Sequence, residues 1–299
     1  MNNILTLTKR NLKLYLRDRA AVFFSFLSTI IVVALYFLFI AKLYTSGMDN
    51  LATSGSPFAL TVKEKNFIIY LQMIAGVLVL NSISLATGAF STIAKDFENK
   101  RLDSLMLAPI KPLEIIIAYF ATGFISSFFI NILTLIVSCI IIGIFTGLWI
   151  AASTFFMVIV VLLVASLISC SIMLLITSIV KSSTAIGVAN GVMGTFFGFL
   201  CGIYIPYSNL GKGATAVGSF LPFSHITIWL KQVVLDDAFK QVGIASELKE
   251  MLFAEHFSAK NIGFCNLSVS LWLMLLISGI IGLACLVASN FILSKRIRH

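Results

Sequence analysis

The stretch from Ile115 to Val180 contains no charged residue, which excludes a soluble fold for this part of the chain. A membrane-spanning helix needs about 20 apolar residues, so the stretch is far too long for one span. Gly143, Gly147 and Trp149 lie near its middle, where glycine favours a turn and tryptophan a membrane interface. The stretch therefore predicts two spans joined by a tight turn. Three shorter spans are the alternative, and they would reverse the topology of the C-terminal half.

The rest of the chain has the same character. Of the 299 residues, 59% are hydrophobic and only 11% are charged, whereas soluble domains carry about one quarter charged residues. Six apolar runs predict spans: Ala20–Ala41, Phe67–Ala94, Ile115–Phe145, Trp149–Val180, Ala185–Tyr204 and Leu267–Ser294. The predicted fold is an all-α integral membrane protein with about six transmembrane helices, in a single domain over residues 1–299.

The charged residues predict the orientation in the membrane. The net charge is +9, and in the six-span arrangement every arginine falls on the same side as both termini. Because short cytoplasmic loops are enriched in Lys and Arg, we expect both termini to be cytoplasmic. No pattern of arginine and aromatic residues typical of a nucleic-acid groove accompanies this charge, so we expect no nucleic-acid partner.

Several kinds of chemistry are disfavoured. No Asp, Glu, Lys or Arg falls deep within a predicted span, whereas ion-coupled pumps need such groups. The cysteines lack metal-binding spacing, and the chain contains neither H-E-x-x-H nor the G-x-x-x-x-G-K-[ST] motif that cradles ATP phosphates. We expect no catalytic residue, bound cofactor or metal site, and any ATP and Mg²⁺ would be held by another polypeptide.

Residues 1–19 precede the first predicted span. Leu5, Leu12 and Leu16 recur near helical spacing among basic residues, which predicts an amphipathic helix lying in the membrane interface. A polar leader whose charges only set the topology is the alternative.

Residues 95–113 separate the second and third predicted spans. They mix charges of both signs with leucines, and prolines at 109 and 112 end the pattern. This predicts a short amphipathic helix that docks into a groove of a soluble partner. An ordinary solvated loop is the alternative.

Residues 205–235 are too apolar for a free extracellular loop, yet Pro206, Pro222 and several glycines interrupt them. Irregular backbone is tolerated at membrane depth only where protein or a water-filled cavity covers it. We therefore expect partly membrane-embedded half-helices that cap a cavity at the outer face.

These elements together resemble the permeases of ABC-2 type exporters. The resemblance rests on Arg17-Asp18, Glu98, Leu102-Asp103-Ser104-Leu105, Pro109-Ile110, Ile205-Pro206 and Leu221-Pro222. One departure is that Lys100-Arg101 stand where the family often has Gly-Thr.

The resemblance implies roles for two segments. Residues 95–113 would be the coupling segment that seats on an ATPase subunit, through Glu98, Arg101, Leu102, Asp103, Leu105 and Met106. Residues 205–235 would form two re-entrant half-helices, with Pro206 and Pro222 at the outer gate.

Small residues recur in the fifth predicted span at Gly187, Gly191, Gly194, Gly198 and Gly202. Such spacing lets helices approach closely, either within the chain or in a dimer. The resemblance implies a second permease, as an identical or homologous copy, as well as an ATPase partner and surrounding membrane lipid.

The expected function is that of a permease subunit in an ATP-driven exporter of the plasma membrane, of bacterial type. The substrate path would run along the first, second and fifth spans. The aromatic residues expected there are Phe23, Phe24, Phe26, Phe196, Phe197 and Phe199. They favour an amphipathic or lipophilic cargo such as a drug, peptide or lipid. A channel or membrane-assembly scaffold that does not use ATP is the alternative, and a neighbouring gene for a Walker A protein would favour the exporter.

Overall fold

The structure is a computed structural model, and it describes residues 2–19, 22–23, 45–46, 60–101, 110–180, 182–244, 246–260, 262 and 270–298. The described residues form helices and connecting turns, with no strand among them. We number the helices α1 Asn2–Arg17, α2 Val62–Glu98, α3 Pro112–Thr146, α4 Ala152–Ile179, α5 Ser183–Leu200, α6 Lys212–Ser219, α7 Pro222–Val242, α8 Ser246–Met251 and α9 Leu271–Arg298. A 3-10 turn covers Tyr207–Asn209, and a π-helical turn covers Leu252–His256.

Among the described residues, five helices are long and apolar enough to cross a membrane: α2, α3, α4, α5 and α9. They correspond to five of the six predicted spans, which confirms an all-helical, multi-pass membrane protein. The first predicted span, residues 20–41, lies outside the described residues except for positions 22 and 23.

Helix α2 is the centre of the molecule. It packs against α1, α3, α4, α5 and α7, and its side chains are buried on nearly all sides from Phe67 to Ala94. A helix that is apolar all round is covered by other elements or by lipid, and α2 is covered mainly by protein. Its start is fixed by a capping box, in which Thr61 N donates a 2.7 Å hydrogen bond to Glu64 Oε2 and Glu64 N donates to Thr61 Oγ1.

The uncharged stretch forms two helices, α3 and α4, as predicted. The chain turns at Gly147, whose φ of +77° favours glycine, and Gly147 N donates a 2.9 Å hydrogen bond to Gly143 O. The Trp149 ring lies over Gly143, where an added Cβ would come within 2.7 Å of it. All three residues singled out in the sequence therefore shape the turn.

Residues 205–235 differ in part from the prediction. A short helix, α6, is followed by α7, which begins with Pro222 at a position that needs no N–H donor. Helix α7 continues beyond Leu235 to Val242 and ends at Gly243 with φ +75°. The proline breaks are therefore where the sequence places them, while the second helix is longer than predicted. Its depth in the membrane remains a prediction.

Candidate functional site

Helix α1 lies along the first turns of α3. Thr8 Oγ1 is 3.5 Å from Ala118 O, and Thr122 Oγ1 is 3.5 Å from Thr8 O. Leu7 and Tyr15 are buried, whereas Leu5 and Leu16 are exposed. One face of α1 thus packs on the helical bundle, and the opposite face carries the apolar side chains expected to meet the membrane interface.

A buried carboxylate connects α1, α2 and α3 at this end of the molecule. Asp96, which is 2% exposed, accepts a 2.6 Å hydrogen bond from Tyr119 Oη and a 3.1 Å ion-pair contact from Arg10 Nη1. Arg101 Nη1 lies 3.9 Å from its other oxygen. Burial alone would lower the pKa of Arg10, but the charge of Asp96 raises it above its ordinary value. We call Arg10, Asp96, Arg101 and Tyr119 the basal cluster.

The basal cluster is held together because a buried charge is costly unless it is paired and hydrogen-bonded. Asp96 has both kinds of partner. Removing one partner weakens this compensation, so the contacts of Asp96 stabilise the packing of α1 and α3 against the C-terminal end of α2.

Two further contacts link α2 to its neighbours at the same end. Lys95 Nζ contacts Asp18 Oδ2, directly after α1. Glu98 accepts hydrogen bonds from Ser183 N at 2.9 Å and Ser183 Oγ at 2.7 Å. Because the Ser182 side chain provides no N-cap for α5, the Glu98 carboxylate takes that role at the positive end of the helix dipole.

The predicted ATPase-coupling residues are only partly covered by the structure. Glu98 and Arg101 are exposed, and both make the contacts described above. The remaining four, Leu102, Asp103, Leu105 and Met106, lie outside the described residues. Two residues of the basal cluster, Asp96 and Arg101, therefore lie within the predicted coupling segment.

Lys100 lies at the one departure from the family pattern, and its backbone conformation is unusual for a lysine. Its φ of +52° is in the left-handed region, which glycine adopts at little cost and other residues do not. The position at which the family often carries glycine is thus one whose backbone here favours glycine.

Inside the bundle, polar residues join α2 to α3. Asn81 Nδ2 donates to Asn131 Oδ1 at 3.1 Å, and Asn131 Nδ2 donates to Ser82 Oγ at 2.7 Å. Both asparagines are fully buried. Interhelical hydrogen bonds of this kind hold helices together in apolar surroundings. Neither asparagine was predicted as a functional residue, although an asparagine within an apolar run is a visible signal.

At the opposite end of the helical bundle, Lys231 on α7 connects two separate segments. Its side chain is 0% exposed, and Nζ donates to Gly202 O at 2.6 Å and to Phe257 O at 2.9 Å. Gly202 follows α5 with φ +64°. One lysine on α7 therefore ties the end of α5 to the segment after the π-helical turn. Sequence reasoning missed this role, because nothing near Lys231 in the chain reveals that both carbonyls lie beside it.

Other hydrogen bonds stabilise the same end of the bundle. Tyr207 N donates to Ser258 Oγ at 2.6 Å, and Gln232 Nε2 donates to Ala259 O at 2.6 Å. Pro206 precedes the 3-10 turn that contains Tyr207, and Pro222 starts α7. The two predicted gate prolines thus lie on either side of the short helix α6, and each stands at the start of an element.

The profile of the ABC-2 type transporter family matches residues 2–235, which includes the basal cluster, the polar pairs between α2 and α3, and Lys231. The chain belongs to the ABC-2 type transporter family. No curated protein matches the chain. Proteins of the ABC-2 type transporter family are membrane subunits of transporters, so this chain is a transport subunit and not itself a catalyst.

The candidate substrate-path residues of this ABC-2 protein do not share one surface. Phe23 and Phe199 are exposed, and Phe196 is 54% exposed. Phe197 is 8% exposed and packs on Phe223 with ring centroids 5.0 Å apart, so it belongs to the core. Phe24 and Phe26 lie outside the described residues.

The glycines of α5 also divide into two groups in this ABC-2 protein. Gly187 and Gly191 face open space. Gly198 lies against Tyr204, where an added Cβ would meet the ring at 2.0 Å. Close packing within the chain explains Gly198. Gly187 and Gly191 instead leave a strip without side chains on an exposed face of α5.

Proposed function

We propose that this chain is the permease half of an ATP-driven exporter that moves an amphipathic or lipophilic substrate out across the plasma membrane. The observation that carries the proposal is the position of Asp96 in a chain that matches the ABC-2 type transporter family over residues 2–235. Asp96 lies at the start of the predicted coupling segment, and its buried carboxylate contacts Arg10 of α1, Tyr119 of α3 and Arg101.

The partner would be an ATPase subunit that binds ATP and Mg²⁺ and seats on residues 95–113. Closure of two ATPase subunits on ATP would displace this segment. Helix α2 carries Asp96 of the basal cluster at its C-terminal end, and it also packs against α3, α4, α5 and α7. A shift at that end would therefore reach the whole bundle. A conformational switch of this kind needs a ligand that binds the two states differently.

A second permease would complete the substrate path. The strip of α5 with Gly187 and Gly191 is open, and the neighbouring Val188, Val192 and Phe196 are exposed. Small residues allow a helix of a second copy to approach closely. The exposed apolar side chains favour a cargo of low polarity.

Reconstituted transport tests the proposal. The chain is co-expressed with candidate ABC ATPase subunits from the same genome, and the complex that co-purifies is placed in vesicles loaded with a fluorescent lipophilic amine or a labelled amphipathic peptide. The exporter account predicts movement that requires ATP and stops when the Walker A lysine of the ATPase is replaced by methionine. Movement that is the same with and without ATP would support a channel and overturn the proposal.

A further inference from the structure

The half of α1 that faces away from the helical bundle has an apolar edge and a basic edge. Three leucines form the apolar edge: Leu5, Leu12 and Leu16. Three exposed cations form the basic edge: Lys9, Lys13 and Arg17. At about 100° per residue, the leucines fall within about 40° of one another around the helix axis, and the cations occupy the adjacent sector of about 80°. We call this half the leucine–lysine face.

The apolar edge is not covered by the rest of the protein. Leu5 is 68% exposed and Leu16 is 54% exposed, whereas Leu7 and Tyr15 on the other half of α1 are buried against the bundle. Exposed leucines repeated along one edge of a helix favour contact with an apolar phase that runs parallel to the helix axis.

The basic edge is not neutralised by the described part of the protein. Lys9, Lys13 and Arg17 form no ion pair with any residue that the structure describes, and α1 itself contains no acidic residue. Three neighbouring cations without a counter-charge favour an anionic ligand.

The carboxylates nearby have other partners. Asp96 is paired with Arg10 at 3.1 Å, and Asp18 contacts Lys95. Glu114 accepts a 3.0 Å hydrogen bond from a backbone N–H at the start of its own helix. These groups therefore do not supply the negative charge that the leucine–lysine face lacks.

The length of α3 indicates the depth of α1 in the membrane. Helix α3 has 35 residues, so it is about 52 Å long, and it exceeds the hydrocarbon core by about 20 Å. Trp149 follows the far end of α3, and tryptophan is enriched at the membrane interface. Most of the excess length therefore lies at the end that begins with Pro112.

Helix α1 packs on this projecting end of α3. Asn3 Nδ2 lies 3.5 Å from Glu114 Oε2, and Thr8 contacts Ala118 and Thr122. All these contacts fall within the first three turns of α3. Helix α1 thus lies at the level of the lipid headgroups, where phosphate groups adjoin the acyl chains.

We propose that the leucine–lysine face of α1 binds anionic phospholipids of the phosphatidylglycerol class, in the leaflet on the side of the N-terminus. The leucines contact the upper part of the acyl chains, and the three cations contact the phosphates. An apolar edge beside a cationic edge matches the boundary between these two layers of a bilayer. The proposal does not rest on the exporter proposal, because the permease alone binds the lipid.

Native mass spectrometry of the purified permease tests the proposal. The protein in detergent is titrated with equimolar phosphatidylglycerol and phosphatidylcholine that have matched acyl chains, and the first lipid bound is counted. We expect about a tenfold preference for phosphatidylglycerol, which corresponds to about 1.4 kcal/mol. Equal binding of the two lipids by the unaltered protein overturns the proposal, and this comparison needs no substitution.

Matched triple variants locate the site. The test variant combines Lys9→Gln, Lys13→Gln and Arg17→Gln. The control removes the same charge from three exposed lysines at the opposite end of the bundle, as Lys63→Gln, Lys212→Gln and Lys260→Gln. We expect the preference to fall below about twofold in the test variant and to persist in the control. A preference that survives in the test variant, or is lost equally in both, overturns the proposal.

An acidic surface of a protein partner is the other candidate occupant of this face. If the test variant kept the lipid preference but no longer co-purified an ABC ATPase, the leucine–lysine face would dock a protein and the lipid proposal would be overturned. A failed transport assay leaves the lipid measurement unaffected, because that measurement contains no ATPase. The two proposals therefore fail independently.

Discussion

Tyr119 donates a 2.6 Å hydrogen bond to the buried carboxylate of Asp96. The contact joins the second turn of α3 to the last turn of α2, where Arg10 of α1 also reaches the same carboxylate. It fixes the geometry at the point where the chain enters the predicted coupling segment.

Tyr119→Phe should therefore lower the free energy of unfolding by about 1.5 kcal/mol, the typical value of a hydrogen bond to a charged group. The measurement is thermal unfolding of the purified protein in detergent. Tyr204→Phe is the matched control, because the part of the chain that the structure describes offers the Tyr204 hydroxyl no hydrogen bond. Equal melting temperatures for the two variants would show that the Tyr119 contact contributes no stability.

Replacing Lys100 by glycine should raise the free energy of unfolding. Because its φ is +52°, Lys100→Gly removes a left-handed strain of about 1 kcal/mol and should stabilise the protein. Asn99→Gly is the control, since Asn99 has φ −90° and its side chain donates to Lys95 O at 2.8 Å. We expect that control to be destabilised. Two changes of the same sign would mean that the backbone at Lys100 does not limit stability.

Lys231 should stabilise the contact between the end of α5 and the segment after the π-helical turn. Lys231→Met leaves the carbonyls of Gly202 and Phe257 without their buried donor, which costs about 2 kcal/mol, and should speed amide hydrogen exchange around residues 257–260. Lys212→Met changes an exposed lysine at the start of α6 and should leave exchange unaltered. Unchanged exchange in the Lys231 variant would show that this lysine does not stabilise residues 257–260.

Asp236 should make the thermal stability of the protein depend on pH. Burial would raise its pKa, but hydrogen bonds from Lys240 and Lys249 outweigh burial, and the pKa lies below the ordinary value of 3.8. A lowered folded-state pKa contributes stability that is complete above the unfolded value and is lost as the pH falls through the folded value. Between pH 6 and pH 3, Asp236→Asn should therefore lose less thermal stability than the unaltered protein. An identical loss in both would contradict this assignment.

The helical framework was predictable because the bilayer sets its dimensions. Apolar runs of the required length became α2, α3, α4, α5 and α9, and the glycines and tryptophan near the middle of the uncharged stretch marked its turn. The turn needed only local information, since Gly143, Gly147 and Trp149 are close in sequence.

The charged and polar contacts were not predictable in the same way. Asp96 meets Arg10 and Tyr119, and Lys231 meets carbonyls of two distant segments. Such pairs depend on how the helices pack against one another. The periodicity of apolar residues along the sequence carries no information about that packing. Phe197 shows the same limit, because only the packing of α5 decides which of its neighbouring aromatic residues faces Phe223.

Residues 95–113 are proposed to seat on an ATPase, and replacing their expected apolar anchor tests this most directly. Truncating a buried anchor at an interface costs about 2 kcal/mol or more, whereas a charge at the rim costs less. Leu105→Asp should abolish co-purification of the ATPase and ATP-dependent export, while Asp103→Ala should retain most of both. The permease itself should still insert in the membrane and unfold at its usual temperature. Full ATPase binding and full export by Leu105→Asp would contradict the claim.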